Sequence, residues 1–330
     1  MRTLLVTGAT GFVGRNLLLR EIAQGTNILA PVRSAEKLRS QLAFEGLDPS
    51  AVTPLPADPS AWGPLRPTHA LLSAGVLFAR NREEYFTTNV DWTLQVLEAL
   101  PESTRIVVLS SQSAGGPTPH GRHARTESDA DSPLTWYGKS KLALEHAIEK
   151  IHPSRPLSIL RPPMILGPRD TATLPLFRMA AGLLRTKPGL RTKEFSFLQV
   201  EDVLEAIFAA WETPLPGPHY IAADHTITDR QLIDTAARAA GAKGLTLPIP
   251  ILLVKAMSLL VDTIPTLRRS APSLTRDRAK EIWPDRWVVD STAFRQATGW
   301  SSRHDLSHAL QGAFDFYARE GSLKKRPPRP

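Results

Sequence analysis

The 330-residue sequence contains no cysteine. Disulfides and cysteine-ligated zinc are thereby excluded, which suits a reducing compartment. The N-terminus is strand-like and lacks a charged segment followed by a cleavable apolar run, so no secretory signal is expected and a cytoplasmic location is. No apolar run reaches the roughly 20 residues that a membrane span needs. The best candidate, 249–264, is broken by Lys255, Ser258 and Asp262. It is expected to be a buried or partner-facing helix, with shallow membrane contact as the alternative.

Nucleic-acid and metal signatures are also missing. The net charge is +8, yet basic residues are scattered except for Arg268, Arg269 and the tail residues Lys324, Lys325, Arg326 and Arg329. No nucleic-acid motif accompanies them, so no nucleic-acid partner is expected. His120 and His123 flank a loop glycine without a third ligand at metal spacing, so no metal is expected either. Internal repeats and long linkers are absent.

What is present begins at once. Leu4, Leu5 and Val6 run into a turn with Gly8, Gly11 and Gly14 at three-residue spacing, followed by a helical stretch from Val13 to Gln24. Strand, glycine turn and helix in that order form a dinucleotide-binding unit. Gly8 permits the tight turn, Gly11 lets backbone approach a pyrophosphate, and Gly14 lets helix and strand pack closely. The helix N-terminus adds unpaired N–H groups and the positive end of its dipole.

Apolar runs at 26–32, 52–55, 70–73, 106–110 and 157–160 alternate with helical patterns at 35–44, 83–100 and 136–151. This alternation predicts an α/β fold, a Rossmann-type doubly wound parallel sheet with sites at the strands' carboxyl ends. After Gly167 the pattern turns helical, at 174–184, 200–211, 229–240, 250–261 and 305–319. Residues 1–166, with the strand and helix near 195–212, are assigned to the cofactor domain. Residues 167–194 and 213–320 are assigned to a smaller, mostly helical C-terminal substrate lobe, and 321–330 to a basic, disordered tail. The cleft between domain and lobe would take a small substrate.

The second strand has no acid at its end, where one would favour the ribose hydroxyl of NAD. Arg33 and Ser34 stand there instead. A guanidinium pairs with a phosphate through two charge-assisted hydrogen bonds and Ser34 can add a third, so NADP(H) is preferred, with NAD(H) as the alternative. Asp58, after the third strand, is a candidate for the adenine edge, although Asp-Pro is also a turn dipeptide.

Tyr137 and Lys141 stand four residues apart at the start of a helical stretch. They share a helix face, and a cation beside a phenol is expected to lower the phenol's pKa toward a value useful for proton transfer. Ser110 and Ser111 end the strand IVVLSS, where a hydroxyl could hold a carbonyl oxygen. Ser113 could touch substrate or bond its own turn, and Trp283, Trp287 and Trp300 are expected to pack the interior.

With these residues the chain resembles the extended short-chain dehydrogenase/reductase family, which includes sugar-nucleotide epimerases, 3β-hydroxysteroid dehydrogenases and dihydroflavonol-type reductases. The resemblance covers nearly the whole chain. It implies Ser111, Tyr137 and Lys141 as catalytic residues, Ser111 being fixed by matching Gly116. It further implies that Lys141 bridges the nicotinamide ribose and that Tyr137, Thr10, Phe12, Val13, Ala74, Gly75 and Pro162 lie along the cofactor. Asn89 matches the family's structural helix asparagine, Arg161, Pro162, Gly167 and Pro168 its Arg-Pro strand, and Asp202 the aspartate heading a late helix. A homodimer through 83–100 and 136–151 is the family's usual form.

Two departures shape the expected function. Gly115 replaces a tyrosine of the serine motif, which is expected to leave room near the carbonyl. Pro163 and Met164 stand where sugar-nucleotide enzymes tend to carry an asparagine for the diphosphate. An apolar ketone or secondary alcohol is therefore the expected substrate. A nucleotide-sugar epimerase or dehydratase with tightly bound NAD(P) is the first alternative, and a non-catalytic NADP-bound sensor or assembly protein the second.

Overall fold

The N-terminal run TLLVT lies in the middle of the molecule. In the computed structural model, which describes residues 2–264, 266 and 274–323, it forms strand β1 (Thr3–Thr7). Arg268, Arg269 and the tail beyond Leu323 lie outside the described residues. Helix α1 (Phe12–Ala23), strand β2 (Asn27–Pro31), helix α2 (Ala35–Phe44), strand β3 (Val52–Leu55) and strand β4 (His69–Leu72) follow. Next come helices α3 (Arg82–Phe86) and α4 (Trp92–Glu98), strand β5 (Arg105–Leu109), helices α5 (Gln112–Gly115) and α6 (Trp136–Ile151), and strands β6 (Leu157–Arg161) and β7 (Met164–Leu166).

The second half contains α7 (Leu174–Ala180), β8 (Leu184–Pro188), β9 (Glu194–Phe195), β10 (Phe197–Gln199), α8 (Val200–Glu212), β11 (Pro218–Tyr220) and β12 (Ile227–Thr228). It continues through α9 (Asp229–Ala239), β13 (Leu245–Ile249), α10 (Ile251–Thr263), α11 (Arg276–Ala279), β14 (Arg286–Trp287), α12 (Thr292–Thr298) and α13 (Leu306–Arg319).

Seven strands form one parallel sheet in the order β11-β6-β5-β4-β1-β2-β3. Because side chains alternate across a strand, Leu4 and Val6 join one buried cluster while Leu5 joins the other. Leu17 and Leu18 of α1 and Val203 and Ile207 of α8 cover the first face. Val96 and Leu97 of α4 and Leu144 and Ile148 of α6 cover the second. Burial on both faces explains why the strands read as unbroken apolar runs. The strand order reverses between β1 and β4, so the loops after these two strands open the crevice where such sheets bind ligands.

Three features depart from the sequence reading. The 83–100 stretch contains a π turn at Thr87–Asp91, which puts Asn89 on the buried side. The helix expected at 174–184 ends at Ala180, and Leu184–Pro188 is instead a strand paired in parallel with β13. Strand β11 falls within 213–320, assigned above to the substrate lobe, yet pairs with β6 at the edge of the main sheet; it is short and begins on proline, which an edge strand tolerates. The lobe thus mixes helices with small sheets, including β12-β9-β14 and β13-β8.

Candidate active site

The glycine turn is shaped by close approaches. Gly8 has φ 71°, a left-handed conformation, and a Cβ there would stand 2.9 Å from the Ala74 nitrogen. A Cβ on Gly14 would overlap the Gly8 carbonyl, so strand and helix close only on glycine. Gly11 N donates to Gly8 O at 2.8 Å, and α1 begins with neither a side-chain cap nor an acid in its first turn. Thr7 Oγ1 accepts from the nitrogens of Ser73 and Ala74, both at 3.1 Å, and Gln41 Nε2 donates to Thr10 O at 3.3 Å. The cradle is therefore tied to the β4 loop on one side and to α2 on the other.

Arg33 lies exposed after β2, and Ser34 Oγ caps α2 by accepting from Lys37 N at 3.1 Å. Asp58 is exposed and accepts from Ser60 N at 2.9 Å, bonds that hold its carboxyl below the usual range. Phe12 is half-buried and Val13 and Pro162 buried, the Pro162 carbonyl accepting from Gln112 N at 2.8 Å.

Ser111, Tyr137 and Lys141 converge at the carboxyl end of β5. The two serines there have different fates. Ser110 is buried and its hydroxyl donates to Glu145, whereas Ser111 caps α5, accepting from Ser113 N at 3.1 Å, and hydrogen-bonds Tyr137. Helix α6 starts on Thr135, whose Oγ1 accepts from Gly138 N at 3.1 Å. A Cβ on Gly138 would overlap the Ser113 carbonyl, so α6 reaches the Ser111 turn only because glycine follows Tyr137. The sequence reading missed Gly138, although it stands inside WYGKSK.

Lys141 is buried, and its Nζ donates to Leu109 O at 2.9 Å. Gly75 lies against it: a Cβ there would be 3.5 Å from that Nζ and 3.0 Å from Asn89 Oδ1. Burial lowers the ammonium pKa to about 8, opposed by the charge of Glu145 one turn later. Asn89 Oδ1 accepts from Val76 N at 2.8 Å and its Nδ2 donates to Ser140 Oγ at 3.0 Å. It ties the β4 loop to α6, a structural task.

The Tyr137 phenol corrects one expectation. Burial raises its pKa above the ordinary value; the hydrogen bond from Ser111 and the charge of Arg278 oppose this without reversing it. Lys141 is turned to the Leu109 carbonyl, and the cation that acts on the phenol is Arg278. Its guanidinium carbon sits 5.2 Å from the centre of the Tyr137 ring and 5.5 Å from that of Phe78. Arg278 Nη2 pairs with Glu281 Oε2 at 3.0 Å, while Nε and Nη1 are buried without partners among the described residues. The same short segment grips the start of α6: Asp277 Oδ2 accepts from Trp136 N, and Glu281 Oε1 from Thr135 Oγ1, both at 2.8 Å. Nothing in the run RDRAKEI marked these residues, because their role is created by tertiary contact.

Behind the site lies a buried ionic network. Arg161 Nε is 3.1 Å from both Glu145 oxygens, and Nη1 and Nη2 reach Asp131 at 2.8 and 2.9 Å. These carboxylates raise the arginine's pKa despite its burial. Nη1 also donates to the Tyr220 hydroxyl at 3.1 Å. That hydroxyl occupies the place where a Cβ on Gly115 would project, so the room expected beside Gly115 is filled by Tyr220. Pro163 is buried and Met164 half-buried in β7, and neither carries an amide. Asp202 is buried and accepts from Arg303 N and His304 N at 3.0 Å each and from His304 Nδ1 at 2.9 Å, a structural clasp. His120 and His123 are exposed loop residues; Trp287 and Trp300 are buried and Trp283 half-buried.

The pattern of the NAD dependent epimerase/dehydratase family matches residues 4–223, from β1 to just past β11. The chain belongs to this family. It is an NAD(P)-dependent oxidoreductase of the extended short-chain dehydrogenase/reductase type. It is 28% identical to the ceramide reductase of Caulobacter vibrioides over 326 residues, covering 97% of this chain and 96% of that protein. It is 26% identical to the dTDP-6-deoxy-L-talose 4-dehydrogenase (NAD(P)(+)) of Kitasatospora kifunensis over 325 residues, 93% of this chain and 92% of the other. Among solved structures, the UDP-glucuronic acid 4-epimerase of Bacillus cereus in complex with NAD superposes with TM-score 0.72 at 19% identity, covering 96% of this chain and 99% of that one. This last likeness concerns the fold.

Proposed function

We propose that this family member is an NADPH-dependent reductase, or the reverse dehydrogenase, acting on a ketone/secondary-alcohol pair carried by a mainly apolar small molecule. The observation that carries the reading is the meeting of Ser111, Tyr137 and Lys141 at the end of β5 beside the glycine cradle, where the Ser111 hydroxyl favours the Tyr137 phenolate and Lys141 Nζ binds Leu109 O. Gly8, Thr10, Gly11, Phe12 and Val13 would hold the cofactor pyrophosphate, Arg33 and Ser34 a ribose phosphate, Asp58 the adenine edge, and Ala74, Gly75, Lys141 and Pro162 the nicotinamide half. The cradle fits such a group because Gly8 and Gly14 let β1 and α1 close together, and the N-terminus of α1 carries neither a side-chain cap nor an acid that would compete with an anion. When bound, the cofactor supplies or accepts a hydride. The chain's own part is to hold the carbonyl oxygen on Ser111 and to exchange that oxygen's proton with the Tyr137 phenol.

A phenol with a raised pKa is protonated at neutral pH, which suits giving a proton in the reducing direction. The apolar substrate is supported by Phe78 beside Arg278, the arginine that covers Tyr137, and by buried Pro163 in place of an amide donor. The test is a screen of apolar ketones with NADPH and NADH, with Tyr137→Phe as control. Turnover with NADPH that falls about 100-fold or more in the variant is expected. Full turnover by Tyr137→Phe overturns the assignment. Conversion of a nucleotide sugar without net cofactor consumption would instead establish the epimerase reading, and a cofactor-bound protein inert to every ketone the sensor reading.

A further inference from the structure

Part of the C-terminal lobe inverts the usual placing of polar and apolar side chains. In the parallel pair β8–β13, Leu184 stands opposite Leu245 and Thr186 opposite Leu247, and all three leucines are exposed. The residues between them point inward. Arg185 donates to Ala180 O at 3.0 Å and Ala242 O at 2.9 Å, and Lys187 Nζ binds Asp229 Oδ2 at 3.0 Å and Arg191 O at 2.8 Å. The interior side of this ribbon is held by cations, and its free side is leucine.

Helix α10, which follows β13 directly, repeats the inversion. Its buried stripe is Val254, Ser258 and Val261, while Leu252, at 74% exposure, Leu253, Met257, Leu259 and Leu260 face outward. Gly189 N donates to Ile249 O at 2.8 Å, and a Cβ on Gly189 would be 3.9 Å from Ile251, so Leu190, 76% exposed, adjoins the start of α10. Eleven of the fourteen exposed large hydrophobic side chains among the described residues fall between 183 and 264, which makes this a concentrated face rather than scattered surface apolarity.

Charge selects what would cover it. Residues 178–193 hold five basic and no acidic side chains, and residues 239–261 hold Lys243 and Lys255 and no acid. Arg178, Lys243 and Lys255 are exposed, as is Arg191, whose Nη1 lies 3.4 Å from Asp285 Oδ2. A second copy placed on this face would set these cations against their own kind, whereas an anionic lipid surface complements them. No helix of the described residues is long and apolar enough to cross a membrane, and a 13-residue helix spans about 20 Å, so α10 would lie in the plane of the interface. The face also adjoins the site: Asp262 at the end of α10 accepts from Arg276 N at 3.1 Å, two residues before the arginine that covers Tyr137.

We propose that α10 and the β8–β13 ribbon dock on an anionic phospholipid bilayer and that the enzyme takes its apolar carbonyl substrate from that bilayer. The origin of the substrate rests on the reductase reading above; the docking itself does not. Full-length protein is floated with phosphatidylcholine vesicles with and without about 30% phosphatidylglycerol. Flotation with the anionic vesicles is expected, at least about tenfold stronger than with the neutral ones, and lost at least about tenfold in Leu252→Asp/Leu260→Asp. Arg191→Glu/Lys243→Glu, which leaves the leucines in place, should lose a similar factor and decides the matter if the leucine variant fails to fold. No flotation of the wild type, binding unaffected by both variants, or a wild-type dimer that the leucine substitutions turn into monomer overturns the proposal. Turnover of a water-soluble ketone, measured without vesicles, should be unchanged in both variants. Its absence in the wild type would count against the reductase reading and leave the flotation result standing.

Discussion

Replacing Lys141 by methionine should cripple the enzyme and strengthen the fold. The side chain is 5% exposed and its ammonium has a carbonyl, Leu109 O, as hydrogen-bond acceptor at 2.9 Å. Its pKa falls from 10.5 to about 8. At 1.36 kcal/mol per pKa unit, keeping this charge in the folded chain costs about 3 kcal/mol near neutral pH. Methionine matches the length and flexibility of the lysine stem and removes the charge, but leaves the Leu109 carbonyl without its donor, a loss of about 1 kcal/mol. A net gain of about 2 kcal/mol follows, which for a chain of this size raises the melting temperature by about 3 °C. Below about pH 8 the lysine is protonated in both folded and unfolded chains, so the cost is constant there. Between about 8 and 10.5 the folded chain has released a proton that the unfolded chain still holds, so wild-type stability rises with pH relative to the variant. Calorimetric scans of the cofactor-free proteins at about pH 7 and pH 9.5 should therefore show the advantage of Lys141→Met shrinking at the higher pH. A variant that melts below the wild type at neutral pH, or an advantage that grows with pH, refutes the reasoning.

Four further outcomes can be checked singly. Arg33→Ala should weaken NADPH binding about 10- to 100-fold while leaving NADH nearly unchanged, measured by fluorescence titration, because it removes the bidentate phosphate contact proposed for Arg33. Arg278→Met removes the cation that opposes the effect of burial on Tyr137, so the rise of kcat/KM with pH in the alcohol-oxidising direction should move to higher pH; an unmoved profile denies Arg278 its influence. Gly138→Ala would gain about 1 kcal/mol from helix propensity alone, yet it should lower stability and turnover together, since the new methyl meets the Ser113 carbonyl. Glu145→Ala leaves Arg161 buried with Asp131 as its remaining carboxylate and should cost about 3–5 kcal/mol in urea unfolding.

The sheet was legible because its strands are buried on both faces and so announce themselves as apolar runs, and α2 and α6 because their patterns are long. β11 and β8 were not: one is a three-residue edge strand beginning on proline, and the other carries Arg185 and Lys187 inward, against the pattern that identifies a strand. In the site, a strand end narrowed the hydroxyl to Ser110 or Ser111 and a helical spacing paired Tyr137 with Lys141, while the choice of Ser111 came from the family resemblance through Gly116. The electrostatics could not. Helix geometry put Tyr137 and Lys141 on one face, but only the folded chain shows that Lys141 is engaged by Leu109 and that Arg278, 141 residues after Tyr137, takes the position over the phenol ring. Gly115 likewise read as empty space until Tyr220, from the unrecognised strand, was found in it.

The grip of Asp277, Arg278 and Glu281 on the first turn of α6 has a consequence for how such an enzyme could diversify. The segment that packs against Tyr137 and Phe78 also sets the charge over the phenol proposed as proton donor and fixes the backbone from which that phenol projects. A lobe reshaped for a new substrate would thus alter acid strength at the same time. Selectivity and turnover in this chain should therefore be inherited as one trait, and exchanging lobes between relatives without their matching α6 start should give proteins that bind the new substrate but process it slowly.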